Sequence, residues 1–336
     1  MTQPPLGWIP PQDRTPSQEA RHQRYLAGMP KFKIEGPPTP LPKGVRICLF
    51  DAWKAPAVVQ DLGSSSFSWF HQLTGSCVGA GGGNALFSLI ATQRLLAVEP
   101  TKAFIPFWPF SYGICRSDGG DGGRGEGAMG SWFADALIKR GVLASTEEGL
   151  PPFKVGSEGL MLTESLEMAW SDGGSSLVTN WIDKAVQHPL GAASEVKDVA
   201  GIREGLVNGY PFTFACLNYI QNAAIKGTGT DAAVIGKWGN YGPHQQSVHA
   251  YWDNATHGPL YWSQNNWAAQ TYPTDPSGGP TCGCWVKEAD VTAALRLQAE
   301  VYALSHLKWF PAQPEVLNSW SEIFPRKLTT KSLVFA

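Results

Sequence analysis

The chain reads as an α+β protein, and three observations predict it. Residues 84–95 carry Leu86, Ile90 and Leu95 at helical spacing. Further on, the apolar run 212–220 and the alternating, β-branched and aromatic stretch 244–267 read as a buried strand and a hairpin. The helical patterns come first and the strands afterwards, with no internal repeat, which argues against alternating βαβ units. At 336 residues the chain makes one large domain or two small ones.

Residues 1–43 hold ten of the 26 prolines. Proline fixes φ and lacks an N–H, so this segment is expected to be an extended arm, interrupted by a short helix over 15–26. Residues 45–53 (VRICLFDAW) read as a strand, followed by a Gly/Ser loop at 63–66. A Gly-Ser-Cys turn then leads into 77–97, which reads as helix from Asn84 onward. The glycines at 79 and 81–83 are poor helix formers, and they can be helical only if something packs very close to them. A long Gly-rich loop spans 117–130, a helix is expected over 131–140, and Gly141 stands in the usual C-terminal position. A short helix over 199–208, a strand at Trp285-Val286 and a helix over 289–297 complete the pattern. Tryptophans such as Trp69, Trp108 and Trp132 suit either the core or the packing of an arm against it.

Composition excludes several classes of function. The net charge is −2, without the basic excess of a general nucleic-acid or anionic-membrane binder. No stretch approaches the roughly 18 uninterrupted apolar residues of a membrane span. The start, MTQPPLGWIPPQDR, lacks a basic segment followed by an apolar one, so no Sec-type export signal is expected. The six cysteines are too sparse for a disulfide framework, and reduced thiols in a cytoplasmic setting, or within a virion, are expected. Gly125-x-Gly127-x-x-Gly130 follows no strand, so it does not read as a dinucleotide loop. Asp118 and Asp121 read as solvated turn residues, and Cys282-x-Cys284 is too short and single for a zinc knuckle.

Two features carry chemistry. Cys77 opens a helix, where the positive end of the helix dipole lowers a thiol's pKa and raises its thiolate fraction. Cysteine is also among the most buried residue types, so the position alone does not make it a nucleophile. Far downstream lie Tyr241-Gly242-Pro243-His244 through His249, then Tyr251, and finally Ser263-Gln264-Asn265-Asn266-Trp267. A cysteine nucleophile needs a base within hydrogen-bond reach, and the base needs a third group to hold its ring. An Asn carbonyl can accept from the imidazole N–H, and a Trp beside it can shield that bond from water.

The order Cys…His…Asn-x-Trp resembles the papain-like cysteine peptidases, in a divergent, viral or bacterial form. Other segments resemble the same family: Phe110-Ser111-Tyr112 with Arg116, the Gly-rich loop, the ALIKRGV segment at 136–142, Asn208-Gly209-Tyr210-Pro211-Phe212, and Cys284-Trp285-Val286. The resemblance spans roughly 45–300. It implies a two-lobe α+β fold, with a helical lobe at about 70–195 and an antiparallel β-rich lobe at about 199–300 within a domain of 45–304. An N-terminal arm (1–44) and a C-terminal tail (305–336) flank that domain.

The resemblance implies hydrolysis of a peptide or isopeptide bond by thiolate Cys77, reactive near pH 6, with His244 as general base and acid. Asn265 would orient the imidazole, Trp267 would cover that bond, and Gly127 and Ala128 would line the substrate site. His244 is preferred because seven residues separate it from Tyr251; His249, 16 residues before Asn265, is the alternative base. The two histidines are five apart, so one regular strand cannot point both the same way. The family's oxyanion Gln stands six residues before the Cys; here that place is His71, and Gln72 at five is the better donor. Val78 follows the Cys where the family has Trp, Asn-Ser-Trp-Gly has become Asn-Asn-Trp-Ala, and Cys77 and His244 are 167 residues apart, which implies insertions at 145–195. No metal or organic cofactor is implied. The expected partner is a polypeptide substrate. The departures also suit a weak or inactive papain-like module serving as a structural component of an assembly such as a phage particle, with protein partners.

Overall fold

A computed structural model describes residues 7–36, 41–63, 67–97, 102–121, 127–156, 159–172, 176–267 and 272–313. The N-terminal arm carries the expected helix, α1 (Pro16–Gly28), and its start is written locally. Thr15 accepts from the Gln18 N–H, the Gln18 side chain accepts from the Thr15 N–H, and Pro16 occupies the first turn. β1 (Ile34–Glu35) and β2 (Arg46–Cys48) follow. The strand expected over 45–53 is only three residues long; the rest coils into a 3-10 turn, Leu49–Lys54. Ile47, Cys48, Leu49, Phe50, Ala52 and Trp53 are all buried, a pattern that the alternating faces of a strand cannot deliver. The turn also lets the Trp53 indole N–H reach the Ser88 hydroxyl at 2.9 Å. α2 (Pro56–Asp61) leads on.

The central helix α3 (Cys77–Leu95) begins seven residues earlier than periodicity suggests. Its glycines are helical because neighbours occupy the space a side chain would need. A Cβ at Gly82 would lie 2.3 Å from the Phe133 ring, and one at Gly83 would lie 2.8 Å from Trp108 Cβ. The propensity cost of about 1 kcal/mol per glycine is offset by this close approach of whole elements. Every residue from Cys77 to Gln93 is buried.

α4 (Trp108–Arg116) runs into a π-helical turn, Ser117–Asp121, and α5 (Gly130–Arg140) ends at Gly141, whose φ of +74° favours glycine. Residues 122–126 of the Gly-rich loop lie outside the described residues. Within 145–195, where insertions are expected, lie β3 (Lys154–Gly156), β4 (Gly159–Met161) and the helices α6 (Glu164–Ser171), α7 (Ser176–Thr179) and α8 (Ile182–Ala185).

The β-rich part contains β5 (Ala192–Glu195), α9 (Val199–Val207), β6 (Phe212–Lys226), β7 (Ala233–Asn254), β8 (Gly258–Gln264), β9 (Gly283–Lys287), α10 (Glu288–Arg296), β10 (Glu300–Ser305) and β11 (Phe310–Pro311). β6 outruns the expected strand by six residues, and β7 starts eleven residues before the expected hairpin. The segments that extend them pair backbone to backbone, as in Ile225↔Val234, and bury Val234 and Trp238 in the core. The main sheet has seven strands in the order β5-β10-β6-β7-β8-β9, with β2 added on β7. β1 and β11 form a small parallel pair that ties the arm to the C-terminal tail, whose residues 314–336 lie outside the described residues. α3 packs against β7, so the first turn of the helix meets the middle of the longest strand. Among the described residues, no helix is long and apolar enough to cross a membrane.

Candidate active site

Cys77 is the first residue of α3, and its sulfur faces β7. Gln245, next to His244, donates its backbone N–H to Cys77 Sγ at 3.4 Å, and its side-chain amide donates to the Val78 carbonyl at 3.1 Å. His244 Nε2 lies 2.9 Å from Asn265 Oδ1. The Trp267 ring lies over the imidazole, with centroids 4.3 Å apart and planes inclined at 32°. The Asn266 amide donates to both the Cys77 and Gln245 carbonyls at 3.3 Å, which fastens the segment after β8 to α3 and β7 together.

The two histidines separate as alternation requires. His249 shares a face of β7 with Gln245 and Ser247, turned toward α3. Its Nδ1 lies 2.9 Å from Ser88 Oγ and its Nε2 lies 2.7 Å from Ser247 Oγ, so both ring nitrogens are engaged away from Asn265. Burial pushes its pKa down to about 3. Gln72 does lie beside the sulfur's loop, but its side-chain amide donates to the Thr74 carbonyl at 2.7 Å, within its own turn. Its backbone N–H donates to the Asn266 carbonyl at 2.9 Å.

The N-terminal arm occupies the seam that sequence reasoning reserves for a substrate. Gly7 directs its N–H at Cys77 Sγ and accepts from the Ala128 N–H at 2.8 Å. The Ile9 N–H donates to the Ala128 carbonyl at 2.9 Å, making a parallel bridge of Trp8 with Ala128. Gly127, with φ of +92°, lies against Ile9 and Gly7; a Cβ there would be 3.0 Å from Ile9 Cγ1. Trp8 is 1% exposed and Cys77 is fully buried. Further along, Arg14 makes ion pairs with Glu19 and Glu300, and His22 Nδ1 lies 2.8 Å from Ser131 Oγ.

This closure sets the electrostatics. Burial pushes the Cys77 thiol up to about 12, against the N–H groups of Gln245 and Gly7, which act the other way. A helix N-terminus contributes about 0.3–1 kcal/mol, less than one pK unit, so desolvation wins. Burial likewise pushes His244 down to about 4, with the Asn265 bond opposing. In the arm-docked state burial therefore works against the thiolate expected near pH 6, favouring the uncharged forms of both sulfur and imidazole.

The weaker sequence signals resolve differently. Asp118 pairs with Arg140 through two hydrogen bonds of 2.8 and 3.1 Å. Cys282 donates its S–H to the Trp267 carbonyl at 3.1 Å. Among the described residues, no group of three His, Cys, Asp or Glu side chains is placed to hold a metal ion. Sequence reasoning missed the plug formed by Gly7, Trp8 and Ile9. It also missed Glu167, a fully buried residue of α6 whose carboxyl accepts from the loop before Cys77. A Gly-Trp pair in a proline-rich arm hints at an ordered contact; nothing local marks Glu167.

No family model matches the chain, and no curated protein matches it. Solved structures do. Xylellain, a cysteine protease from Xylella fastidiosa, is similar at a TM-score of 0.54 and 16% identity, over 91% of this chain and 98% of that one. The proCathepsin B S9 from Trypanosoma congolense is similar at a TM-score of 0.50 and 10% identity, over 88% of this chain and 90% of that one. A sheet lobe packed on a central helix that opens with Cys77, in a chain similar to these two along most of its length, is the papain-like α+β fold.

Proposed function

We propose that the protein is a cysteine peptidase held closed by its own N-terminal arm. The observation that carries this reading is the His244–Asn265 bond of 2.9 Å under Trp267, on the strand whose next residue donates to Cys77 Sγ. With the arm displaced, water reaches the seam and the desolvation that keeps sulfur and imidazole neutral is relieved. Cys77 then passes its proton to His244, and the sulfur attacks the carbonyl carbon of a peptide bond. The Cys77 N–H and the Gln72 amide are the donors available to the oxyanion, once Gln72 turns from Thr74. His244 returns the proton to the leaving amine, leaving a thioester on Cys77. It next takes a proton from water, whose oxygen attacks the thioester, and the acid product and free thiol are released. Asn265 holds the ring orientation throughout, and Trp267 keeps water from that bond. The segment 127–128 offers an extended substrate the N–H and C=O that it now offers the arm.

A second reading rests on the same closure. A sulfur sealed by a fitted plug also suits a catalytically silent papain-like module in an assembly. Hydrolysis of a mixed-sequence peptide pool separates the two, measured by mass spectrometry for the full chain and for Gly7→Ala. Turnover is expected to vanish in Cys77→Ala and to fall by about 10²-fold or more in His244→Ala. Hydrolysis that survives Cys77→Ala, or is absent from both the full chain and Gly7→Ala, refutes the peptidase reading and leaves the silent module.

A further inference from the structure

The loop 72–76 carries Gln72 at one end and runs into Cys77 at the other, and is itself neither strand nor helix. The Asn266 carbonyl receives the Gln72 N–H, and the Tyr112 hydroxyl donates to the Gly75 carbonyl at 2.9 Å. Everything between is organised by one carboxyl group. Glu167 accepts from the Leu73 N–H at 2.9 and 3.1 Å, from the Thr74 N–H at 2.9 Å, from the Thr74 hydroxyl at 2.6 Å, and from the Ser76 hydroxyl. Ser76 precedes α3 in the capping position, but its hydroxyl goes to Glu167 and makes no cap bond. The Thr74 carbonyl, on the residue that Glu167 grips twice, is in turn the acceptor that holds the Gln72 amide. Glu167 is fully buried, and all the groups that face it here are donors.

We propose that Glu167 is a positioning residue: its carboxyl group, cradled by residues 73, 74 and 76, fixes the loop so that Gln72 and the Cys77 N–H converge beside the sulfur. This rests on the peptidase reading. A carboxylate suits the place because it accepts at every position and donates at none. The nearly isosteric amide of Glu167→Gln keeps the volume but turns two N–H groups toward donors, so the loop relaxes while the packing around α6 stays. The effect falls on acyl transfer, which builds charge on the substrate oxygen, and spares alkylation of the sulfur, which does not.

The test compares Glu167→Gln with its parent, both as the full chain carrying Gly7→Ala. Three quantities are read: kcat and KM on a peptide amide, the rate of Cys77 alkylation by iodoacetamide, and amide hydrogen exchange at residues 73 and 74. The expected result is a fall in kcat of about 100-fold, the scale of losing an oxyanion donor. KM is expected within about twofold and alkylation within about threefold, while exchange at 73 and 74 rises by about tenfold or more. An unchanged kcat, or equal falls in kcat and alkylation, makes Glu167 a support of the fold and overturns the inference. A parent without turnover defeats the peptidase reading instead; exchange then decides alone, and unchanged protection at 73 and 74 overturns the inference. If Glu167→Gln does not fold, Thr74→Val removes a single donor to the carboxyl, and a loss in kcat of about tenfold with unaltered alkylation is expected; no loss overturns it.

Discussion

Gly7→Ala is the smallest change that opens the seam. A Cβ at Gly7 would lie 1.5 Å from the Gly75 carbonyl oxygen and 2.3 Å from its carbon, both backbone atoms of the loop before Cys77. Neither can step aside without dragging the loop, so the arm must withdraw. Withdrawal breaks the two backbone hydrogen bonds to Ala128, of 2.8 and 2.9 Å. At about 1 kcal/mol each, they amount to about 2 kcal/mol, or a shift of about 30-fold toward the open arm. Because Cys77 is fully buried when the arm is docked, its alkylation rate follows the open fraction. Iodoacetamide labelling at a fixed pH, mapped by mass across all six cysteines, reads that fraction directly. Cys77 is expected to label about 30-fold faster in Gly7→Ala, while the five other thiols, all buried in the body, keep their rates. Equal Cys77 rates in variant and parent would falsify the plug, because the sulfur would then be sealed by the body itself. A uniform rise at every cysteine would also refute it, since that pattern reports global opening.

Arm docking is expected to weaken in acid. His22 is held down to about 4 mainly by burial, with the Arg14 charge helping and Glu19 opposing. Its folded pKa is depressed, so its contribution is complete above about 6.5 and is lost as pH falls toward 4, by up to about tenfold in the docking equilibrium per pH unit. Hydrogen exchange over residues 7–28, corrected for chemical exchange rates, should rise at pH 4.5 relative to pH 7, and His22→Gln should flatten the change; a profile that His22→Gln leaves intact contradicts the assignment. In the body, Gly82→Ala places a methyl group 2.3 Å from Phe133 Cε1. Overpacking costs about 1–3 kcal/mol, more than the helix propensity gained, so Tm should fall by a few degrees. An unchanged or raised Tm would show that α3 and α5 have room to separate.

Much of the site is readable before folding because its parts are short and chemically distinctive. Asn265-Asn266-Trp267 after a strand, and a His twenty-one residues earlier, point to side chains that the structure brings together at 2.9 Å. Choosing between His244 and His249 is harder, since sequence shows only that they face opposite ways. What separates them is Ser88 of α3, a residue 161 positions away that takes the His249 ring. Helix ends follow the same rule. Thr15 with Gln18 marks the start of α1 and Gly141 the end of α5, because caps are made by residues a few positions apart. The first turns of α3 escape apolar periodicity because its glycines are helical only in the presence of Trp108, Tyr112 and Phe133.

By itself, then, the sequence determines the α+β class, the proline-rich arm, the capped helices and the candidates Cys77, His244, Asn265 and Trp267. Periodicity, caps and side-chain chemistry act over a few residues and need no partner. The tertiary structure alone decides that Gly7 lies against the loop before Cys77, that Glu167 grips that loop, and that burial raises the thiol's pKa in this closed form. Those are matters of desolvation and of donors meeting acceptors across 70 to 160 residues of chain, and contacts of that range exist only once the chain has packed.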